Sequence, residues 1–397
     1  MATSQLLILG NGFDLHCGLK SSYFDFFQST ILDTISERFG IIGTKLDKPF
    51  YFWENLLLEY YRKYGRIHYN WCDIEQIIKD TVFFICNNNL TIPQEDPIKR
   101  YIVNSCNNFF HRYGKQNSHD NKCFLYTPLL KELQIFEKRF CEYLKSYIIN
   151  PNNIEEFNEE YIINAMDLLA SLTNFTYVKF NSIDTIINYK EELQHIRKLY
   201  DLDEDLIDVK PELFDVFDNL HSTYILSFNY TSLFDILHVK SPCVYNNVHG
   251  KLCMNKCDNN CHSSNIIFGI DDTLIHSEDE TSDLRIFSKT YRKILNAETQ
   301  TKILPPCDNN CTIEIKFYGH SLSEADYSYF QSIFDYYNLY DNINVSLIFY
   351  YSTGYEQTDA IYNLINSYGK TLANKNQGKN LMHKLLLENR LKIIKLD

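Results

Sequence analysis

The sequence predicts an α/β protein in which a doubly wound, mostly parallel β-sheet is interrupted by a large helical insertion. Short apolar runs typical of buried strands stand at the start of the chain and again after Leu220, and helical stretches separate the later runs. Between these two parts, apolar residues recur at three- and four-residue spacing and glycine is scarce, as in helices. Because 397 residues exceed one ordinary domain of roughly 150 residues, we expect an α/β domain of residues 1–22 and 221–397 and a helical insertion of residues 23–220.

Seven apolar runs are strand candidates. In chain order they are LLILGNG, TYILSFNYT, CVYNNVHG, NIIFGID, TIEIKFYGHS, NVSLIFYYS and RLKIIKLD. Helical stretches such as EADYSYFQSIFDYYNLY and EQTDAIYNLINSYGK separate the later runs, which is the alternation expected of a parallel sheet. In the insertion, YFWENLLLEYYRKYG, WCDIEQIIKDTVFFICNN and TPLLKELQIFEKRFCEYLKSYI have the spacing of amphipathic helices.

Composition and charge limit the function classes. Hydrophobic residues make up 45% of the chain and aromatic residues 15%, which is enough for a globular core. The chain has 38 basic and 51 acidic side chains and no polybasic run, so we expect no general binding of nucleic acid. Its apolar runs fall short of the ~20 residues that cross a membrane, and the segment before Gly10 lacks the features of a signal peptide. We therefore expect a soluble cytoplasmic protein with no membrane partner and mostly reduced cysteines.

The strand ends carry the polar residues that could form a site. In an open parallel sheet the C-terminal ends of all strands lie at one edge, and ligands bind there. Five of the runs end in a glycine or polar signature, namely GNGFD, FNYT, VHG, GIDD and GHSLSEAD. We therefore expect five separate segments to converge on one ligand-binding crevice.

The first signature, Gly10-Asn11-Gly12, is typical of a turn that holds a pyrophosphate. Its glycines would let backbone N–H groups at the start of the next helix approach the phosphates. The pattern is shorter than the common G-x-G-x-x-G. Asp14 would repel phosphate, and its alternative role is to cap the helix N-terminus.

The second and third signatures supply Asn229, Thr231 and His249. Asn229 is both a donor and an acceptor and suits a ribose hydroxyl or an attacking water; alternatively it closes a turn through its own backbone, and Thr231 shares both interpretations. His249 titrates near neutrality and can act as a general base, with Gly250 leaving room for a substrate. The alternative is a structural histidine whose nitrogens are satisfied.

The last two signatures each combine a glycine with polar residues. They are Gly269 with Asp271, and Gly319 with His320, Ser321 and Asp326. Glycine at these strand ends permits close approach of an adenine or ribose, and the Ser321 hydroxyl can bind a phosphate or ribose. His320 is a second candidate titrating group. The insertion also contains acidic residues, such as Glu75 in WCDIE. Two interpretations are open: these side chains are solvated, or a helix packs over the crevice and directs one of them at the ligand.

The pentapeptide CDNNC occurs twice and is a candidate zinc site. Its four cysteines are Cys257, Cys261, Cys307 and Cys311. Asp-Asn-Asn forms turns, so each copy can present two thiolates, and two such loops make a tetrahedral four-cysteine site. Both copies precede strand candidates, so any zinc would be structural and would lie away from the crevice. Free thiols are the alternative, because C-x3-C is less usual than C-x2-C.

Taken in order, LLILGNGFDLHCGLKSSYFDF, WCDIE, ILSFNYT, VHGKL, IIFGIDD and YGHSLSEADYSYF resemble the AbiH-type bacteriophage abortive-infection family over essentially the whole chain. That family is similar to the sirtuin-like (DHS-like) group of Rossmann-like NAD-binding domains. The resemblance maps the group's motifs onto residues of this chain, namely Gly10 and Gly12, Asn229, His249, Phe268-Gly269, and Gly319 with Ser321. The chain departs from sirtuins at Asn11, where alanine is usual, and at Thr231, where aspartate is common.

The resemblance implies an antiphage effector that binds NAD and hydrolyses its nicotinamide–ribose bond when a phage-derived trigger is sensed. In this hypothesis Gly10 and Gly12 hold the pyrophosphate, Gly319 and Ser321 the adenosine side, Asn229 the ribose or water, and His249 is the base. The insertion covers the site or carries contacts of a homo-oligomer. The alternative is a non-catalytic module that senses a nucleotide and signals to a partner through the insertion.

Overall fold

A computed structural model describes most of the chain. The described residues are 2–32, 51–64, 71–88, 90, 95–113, 123–148, 159–173, 222–236, 243–252, 265–272, 275, 280–295, 303–306, 311–352 and 357–396. They form an α/β structure built on one parallel sheet, so the predicted class is confirmed at that level. The predicted division into two domains stays a prediction.

The sheet has six parallel strands in the described residues. They are β1 (Ala2–Leu9), β2 (Thr223–Ser227), β3 (Val244–Asn247), β4 (Cys311–Tyr318), β5 (Val345–Tyr351) and β6 (Leu391–Lys395). Their order across the sheet is β3-β2-β1-β4-β5-β6, which is the order of Rossmann-like sheets. The central strand β1 pairs with both β2 and β4, so Leu7 lies between Ile225 and Lys316. The order reverses between β1 and β4, and ligands of such sheets bind at the carboxyl ends of strands at this point.

Helices connect the strands and precede them. They are α1 (Gly12–His16), α2 (Tyr23–Phe26) with a π-helical continuation Phe27–Leu32, α3 (Phe52–Tyr64), α4 (Trp71–Asn87), α5 (Pro97–Tyr113), α6 (Cys123–Ile148), α7 (Glu159–Thr173), α8 (Leu233–Ile236), α9 (Lys289–Leu295), α10 (Tyr327–Tyr336), α11 (Thr358–Thr371) and α12 (Lys375–Leu387). Two 3₁₀ segments, Glu280–Phe287 and Glu324–Asp326, precede α9 and α10. No helix in these ranges is long and apolar enough to span a bilayer.

The two faces of the sheet are buried in different cores. On β1, Leu7 and Leu9 join a core that includes helices α3 to α7 of the insertion. Leu6 and Ile8 point to the other face and join a core with α10, α11 and α12. This alternation follows from the two-residue period of a strand, and it explains why β1 is apolar at consecutive positions.

Helix α7 of the insertion is fastened to the sheet by buried polar side chains. The Nζ of Lys316, in the middle of β4, donates to the carbonyl oxygen of Leu172 at 3.1 Å and to Oε1 of Gln5 at 2.8 Å. Gln5 in turn donates to the carbonyl oxygen of Thr173 at 3.0 Å. Both carbonyls end α7, where a cation is favourable. Burial lowers the pKa of the Lys316 ammonium.

The predicted strand NIIFGID is wrong. Residues 265–271 form no strand, and Ile270 makes only an isolated bridge to Ser288. The backbone donors of this segment are taken by other partners: Ile267 donates to the His249 carbonyl at 2.9 Å and Phe268 to Oε1 of Glu137, on α6, at 2.7 Å. The Glu137 carboxylate therefore accepts a backbone hydrogen bond that a neighbouring strand would accept in a sheet.

Candidate functional site

A cleft of about 440 Å³ opens at the carboxyl ends of β1, β2, β3 and β4. It is lined by eleven of the residues predicted for the crevice, namely Gly10, Asn11, Gly12, Asp14, Asn229, Thr231, His249, Gly319, His320, Ser321 and Asp326. Phe24, Phe140, Leu144 and Phe228 add apolar surface, and Phe140 and Leu144 come from α6 of the insertion. Four strand ends thus converge on one cleft, and the insertion forms part of its wall.

The two glycines of the first turn allow its backbone to pack directly against the backbone at the end of β4. A Cβ on Gly10 would lie 2.3 Å from the Cα of His320, and one on Gly12 would lie 2.6 Å from the Cα of Gly319. Gly10 N–H donates to the Tyr318 carbonyl at 2.9 Å and Gly12 N–H to the Gly319 carbonyl at 2.8 Å. The N–H groups of Gly10 and Gly12 themselves are therefore not available to a phosphate, because carbonyls at the end of β4 accept them, and the pyrophosphate role of the turn stays a prediction.

Asp14 is buried between the first turn and the insertion. Its carboxylate accepts hydrogen bonds from Oγ1 of Thr231 at 2.5 Å and from the hydroxyl of Tyr161, on α7, at 3.0 Å. Burial raises the pKa of Asp14 to about 6, although these hydrogen bonds and one with Asn229 oppose the rise. Asn11, not Asp14, occupies the N-cap position of α1. Asp14 therefore joins β1, β2 and the insertion at the cleft wall.

Asn229 presents a polar atom without a partner. Its side chain is 4% exposed, and Oδ1 makes no hydrogen bond within the described part of the chain. The backbone carbonyl is held by Nδ2 of Asn247 at 2.7 Å, and the backbone N–H donates to Oγ of Ser227 at 3.2 Å. The main chain of Asn229 is therefore fixed while Oδ1 is available to a ligand in the cleft. A buried polar atom left unpaired costs free energy, and such atoms occur at functional sites.

His249 lies beside a buried carboxylate. Its Nε2 is 3.1 Å from Oδ1 of Asp326, and the ring is only 1% exposed. Neither Nδ1 nor Nε2 has a hydrogen bond of good geometry within the described residues, so the approach of Nε2 to Asp326 is a charge contact. With its proton on Nε2 toward the carboxylate, the ring leaves the Nδ1 lone pair free, which is the state needed to accept a proton.

His320 is held by contacts on both ring nitrogens. Nδ1 accepts from the backbone N–H of Leu322 at 2.9 Å, and Nε2 lies 3.4 Å from Oδ2 of Asp326. The backbone carbonyl of His320 accepts from Nε2 of Gln357 at 2.8 Å. His320 therefore fixes the loop after β4 through contacts of both ring nitrogens.

Asp326 is bound to a buried lysine that links the cleft to the insertion. The Nζ of Lys289, at the start of α9, lies 2.8 Å from Oδ1 of Asp326 and 2.6 Å from Oε1 of Glu75 on α4. All three side chains are at most 5% exposed. Burial and the negative charge of Asp326 raise the pKa of Glu75 to about 8, while Lys289 holds the pKa of Asp326 well below its usual value. Glu75 is therefore buried in this cluster, and it is neither solvated nor among the described residues that line the cleft.

The buried position of His249 predicts a pH dependence of stability. Burial, and then the charge of Lys289, lower the pKa of His249 to about 4 from 6.5. As the pH falls, His249 is therefore protonated in the unfolded chain before it is protonated in the folded chain. The stability that the folded state owes to the neutral ring is fully present above pH 6.5 and is lost as the pH falls toward 4. We expect this to cost about 3 kcal/mol of the free energy of unfolding over that range.

Urea denaturation at several pH values measures this effect. Wild type and the His249→Gln variant share the neighbouring Asp326, Lys289 and His320, so the difference between their pH profiles isolates His249. Parallel profiles between pH 6.5 and 4 would contradict the assignment.

Two residues predicted for the crevice lie outside it. A Cβ on Gly269 would be 2.4 Å from the carbonyl oxygen of Phe287, so this glycine allows two chain segments to touch. Asp271 accepts from the hydroxyl of Ser328 at 2.6 Å and from its backbone N–H at 3.3 Å, in the first turn of α10. Gly250 likewise makes room for the Asn265 backbone and not for a substrate.

Ser321 stands exposed at the mouth of the cleft, where its predicted role stays open. Of the four candidate zinc ligands, Cys257, Cys261 and Cys307 lie outside the described residues, so this site stays a prediction. Cys311 begins β4, which places it at the opposite edge of the sheet from the cleft. Within the described ranges no group of three metal-binding side chains is assembled.

Sequence reasoning missed the buried lysine and the arginine next to it. Arg292, also on α9, binds Glu137 of α6 with two hydrogen bonds of 2.6 and 2.8 Å, and both side chains are buried. Their segment, FSKTYRKIL, looks like an exposed basic helix, and no local pattern marks which of its cations are buried. Burial of these cations becomes evident only from their partners, and the partner of Arg292 lies more than 150 positions away in the sequence.

A protein-family model matches most of the chain. The family model described as "Bacteriophage abortive infection AbiH" matches residues 6–201 and 185–351 of the chain. These two segments together contain every residue of the cleft described above except Gln357. No curated protein and no solved structure matches the chain.

Proposed function

The chain belongs to the bacteriophage abortive infection family AbiH, and on this premise we propose that it is an antiphage effector that hydrolyses NAD in the cleft. The proposal includes the finer fold assignment, a doubly wound sheet of the sirtuin-like type. Cytoplasmic location, a phage-derived trigger and assembly of several copies also belong to the proposal.

The observation that carries the proposal is the pairing of two buried polar atoms in the cleft. Asn229 Oδ1 and His249 Nδ1 both lack a hydrogen bond within the described residues, and both side chains line the cleft where the strand order reverses. Sheets of this order bind ligands at that point. A volume of about 440 Å³ falls within the range of small-molecule sites.

The lining supports a nucleotide with an aromatic group at one end. Phe24, Phe140 and Phe228 offer apolar surface on which a planar ring can pack. At the mouth, Asn11 and Ser321 offer an amide and a hydroxyl to the pyrophosphate or to the adenosine side. In this proposal Asn11 and Ser321 bind the phosphates in place of the N–H groups of Gly10 and Gly12, which already donate to carbonyls of the protein.

The reaction that fits this arrangement is hydrolysis at the ribose carbon. Water attacks C1′ of the nicotinamide ribose, and the bond from C1′ to the nicotinamide nitrogen breaks. The bonding electron pair neutralises the pyridinium, so nicotinamide leaves uncharged. His249 accepts the proton lost by water at Nδ1, Asn229 orients the water or a ribose hydroxyl, and Asp326 stabilises the protonated imidazole. The products are ADP-ribose, nicotinamide and one proton.

A second function is favoured by the contacts of the insertion. Phe140 of α6 lines the cleft, Tyr161 of α7 binds Asp14, and Glu75 of α4 reaches the Asp326 cluster through Lys289. Binding in the cleft would therefore alter contacts of three insertion helices. The low pKa of His249, about 4, also makes it a weak base at neutral pH. A non-catalytic nucleotide sensor that signals through the insertion would use these same contacts.

Turnover distinguishes the two functions. Purified protein is incubated with NAD, bound NAD is measured by calorimetry, and free nicotinamide is measured by chromatography. The hydrolase releases nicotinamide in excess over protein, whereas the sensor binds NAD saturably and leaves it intact. Absence of any NAD binding would contradict the hydrolase and a sensor of NAD.

A further inference from the structure

A second and larger cavity lies on the other side of the loop that follows β4. It has a volume of about 1030 Å³ and is formed by residues 321–327, α11 and α12. Ser321 lines both this cavity and the cleft, so the two spaces share a wall at this residue. The proposed hydrolysis uses no residue of the second cavity other than Ser321.

The lining of the second cavity is basic, although the chain as a whole carries a net charge of −13. Three lysines, Lys370, Lys375 and Lys379, face it, and Glu324 is the carboxylate among its lining residues. No salt bridge of these three lysines is found within the described residues, and Lys375 Nζ donates to the Lys370 carbonyl at 2.7 Å. The lining thus carries three positive charges against one negative charge, and all three lysines are exposed.

The placement of these lysines is unfavourable for the helices alone. Lys375 and Lys379 stand one turn apart at the start of α12, where like charges repel and the helix dipole disfavours cations. The first turn of α12 has no acidic residue to compensate. The close approach of Gly369 and Gly378, where a Cβ on Gly369 would lie 2.5 Å from the Gly378 carbonyl, brings the two helices together near these charges.

Neutral hydrogen-bonding groups complete the lining. Asn363, Asn366 and Ser367 of α11 face the cavity. Ser323 Oγ is buried at its edge and has no hydrogen bond within the described part of the chain. Amides, hydroxyls and lysine ammonium groups are the donors with which proteins bind phosphate.

From these observations we infer that the second cavity binds a phosphate group. The phosphate belongs either to a nucleotide whose other end occupies the cleft, reached across Ser321, or to a separate small anion that acts as an effector. Binding there would offset the mutual repulsion of the three lysines.

Calorimetric titrations with three probes test the inference: pyrophosphate, NAD, and NADP, which is the same dinucleotide with one added phosphate monoester. The double variant Lys370→Gln, Lys379→Gln is compared with wild type and with Lys392→Gln, an exposed lysine of β6 away from both cavities. If the phosphate belongs to the nucleotide, wild type binds NADP at least tenfold more tightly than NAD, and only the double variant loses this preference. If it belongs to a separate anion, wild type binds pyrophosphate without displacing NAD, and only the double variant loses that binding.

The inference is overturned if pyrophosphate does not bind and NADP binds no more tightly than NAD, or if the double variant behaves like Lys392→Gln. Its fate is separable from that of the proposed function. Lysine-dependent binding of pyrophosphate by a chain that does not bind NAD would support the second site and contradict the hydrolase. If the protein turns over NAD, and the double variant binds all three probes as wild type does, the hydrolase is supported and the second site is contradicted.

Discussion

Replacing His249 with alanine is expected to lower the rate of nicotinamide release by about 10²–10⁴-fold, the usual contribution of a general base. The physical reason is that His249 lines the cleft and its Nδ1 makes no hydrogen bond within the described residues, while Nε2 lies 3.1 Å from Oδ1 of Asp326. Steady-state rates with NAD, measured alongside the thermal midpoint of unfolding, separate lost catalysis from lost fold.

Two further histidine variants control this experiment. His383→Ala changes an exposed histidine of α12 and is expected to retain the wild-type rate. His249→Asn keeps a hydrogen-bonding side chain but supplies no titrating nitrogen, so it is expected to bind NAD and to turn it over as slowly as the alanine variant. Turnover by His249→Ala at the wild-type rate would remove His249 from the mechanism.

Replacing Lys289 with methionine is expected to lower the free energy of unfolding by about 3–5 kcal/mol, as when one partner of a buried ion pair is removed. Its ammonium lies 2.8 Å from Asp326 and 2.6 Å from Glu75, and the variant would leave the Asp326 charge buried without its cation. Urea denaturation measures the loss, and the matched control Lys392→Met, at an exposed position, is expected to stay within about 0.5 kcal/mol of wild type.

A double variant keeps this prediction testable if Lys289→Met is too unstable to purify. Lys289→Met combined with Asp326→Asn removes both charges, so it is expected to recover part of the lost stability. A cost for Lys289→Met no greater than that for Lys392→Met would show that the buried cluster does not stabilise the fold.

Much of the candidate site is predictable because a parallel sheet brings its strand ends to one edge. Glycines and polar residues directly after β1, β2 and β4, together with His249 shortly after β3, therefore meet even though Gly10 and Ser321 are far apart in sequence. The residue types at those ends are readable without a structure. Their separate roles are not, because His249 and His320 differ only in which contacts their nitrogens make.

The glycines show where sequence reasoning fails. Gly12, Gly250 and Gly269 all follow apolar runs, a pattern that predicts close approach of a ligand, but each makes room for another part of the same chain. A sequence shows that a side chain is absent and not what fills the space. The same limit explains the false strand at residues 265–271, whose apolar pattern is that of a strand while its backbone donor at Phe268 is bound to the Glu137 carboxylate.

Local patterns point to Asp326 and Glu75 as candidate residues, but Lys289 and the pairing of the three are beyond prediction. Glu75, Lys289 and Asp326 each belong to polar helical or turn sequences that usually face solvent, and they come from three distant segments. Only tertiary packing decides which charged side chains are withdrawn from water, and it then compensates them with a partner of opposite sign.

The central claim is tested most directly by measuring cellular NAD before and after phage infection in cells expressing wild type or His249→Ala. Measurement in cells supplies whatever trigger the protein needs. The hydrolase predicts a fall in NAD, with a matching rise in nicotinamide and ADP-ribose, confined to infected cells that express wild type. Protection against phage with unchanged NAD would contradict the hydrolase and favour the nucleotide sensor.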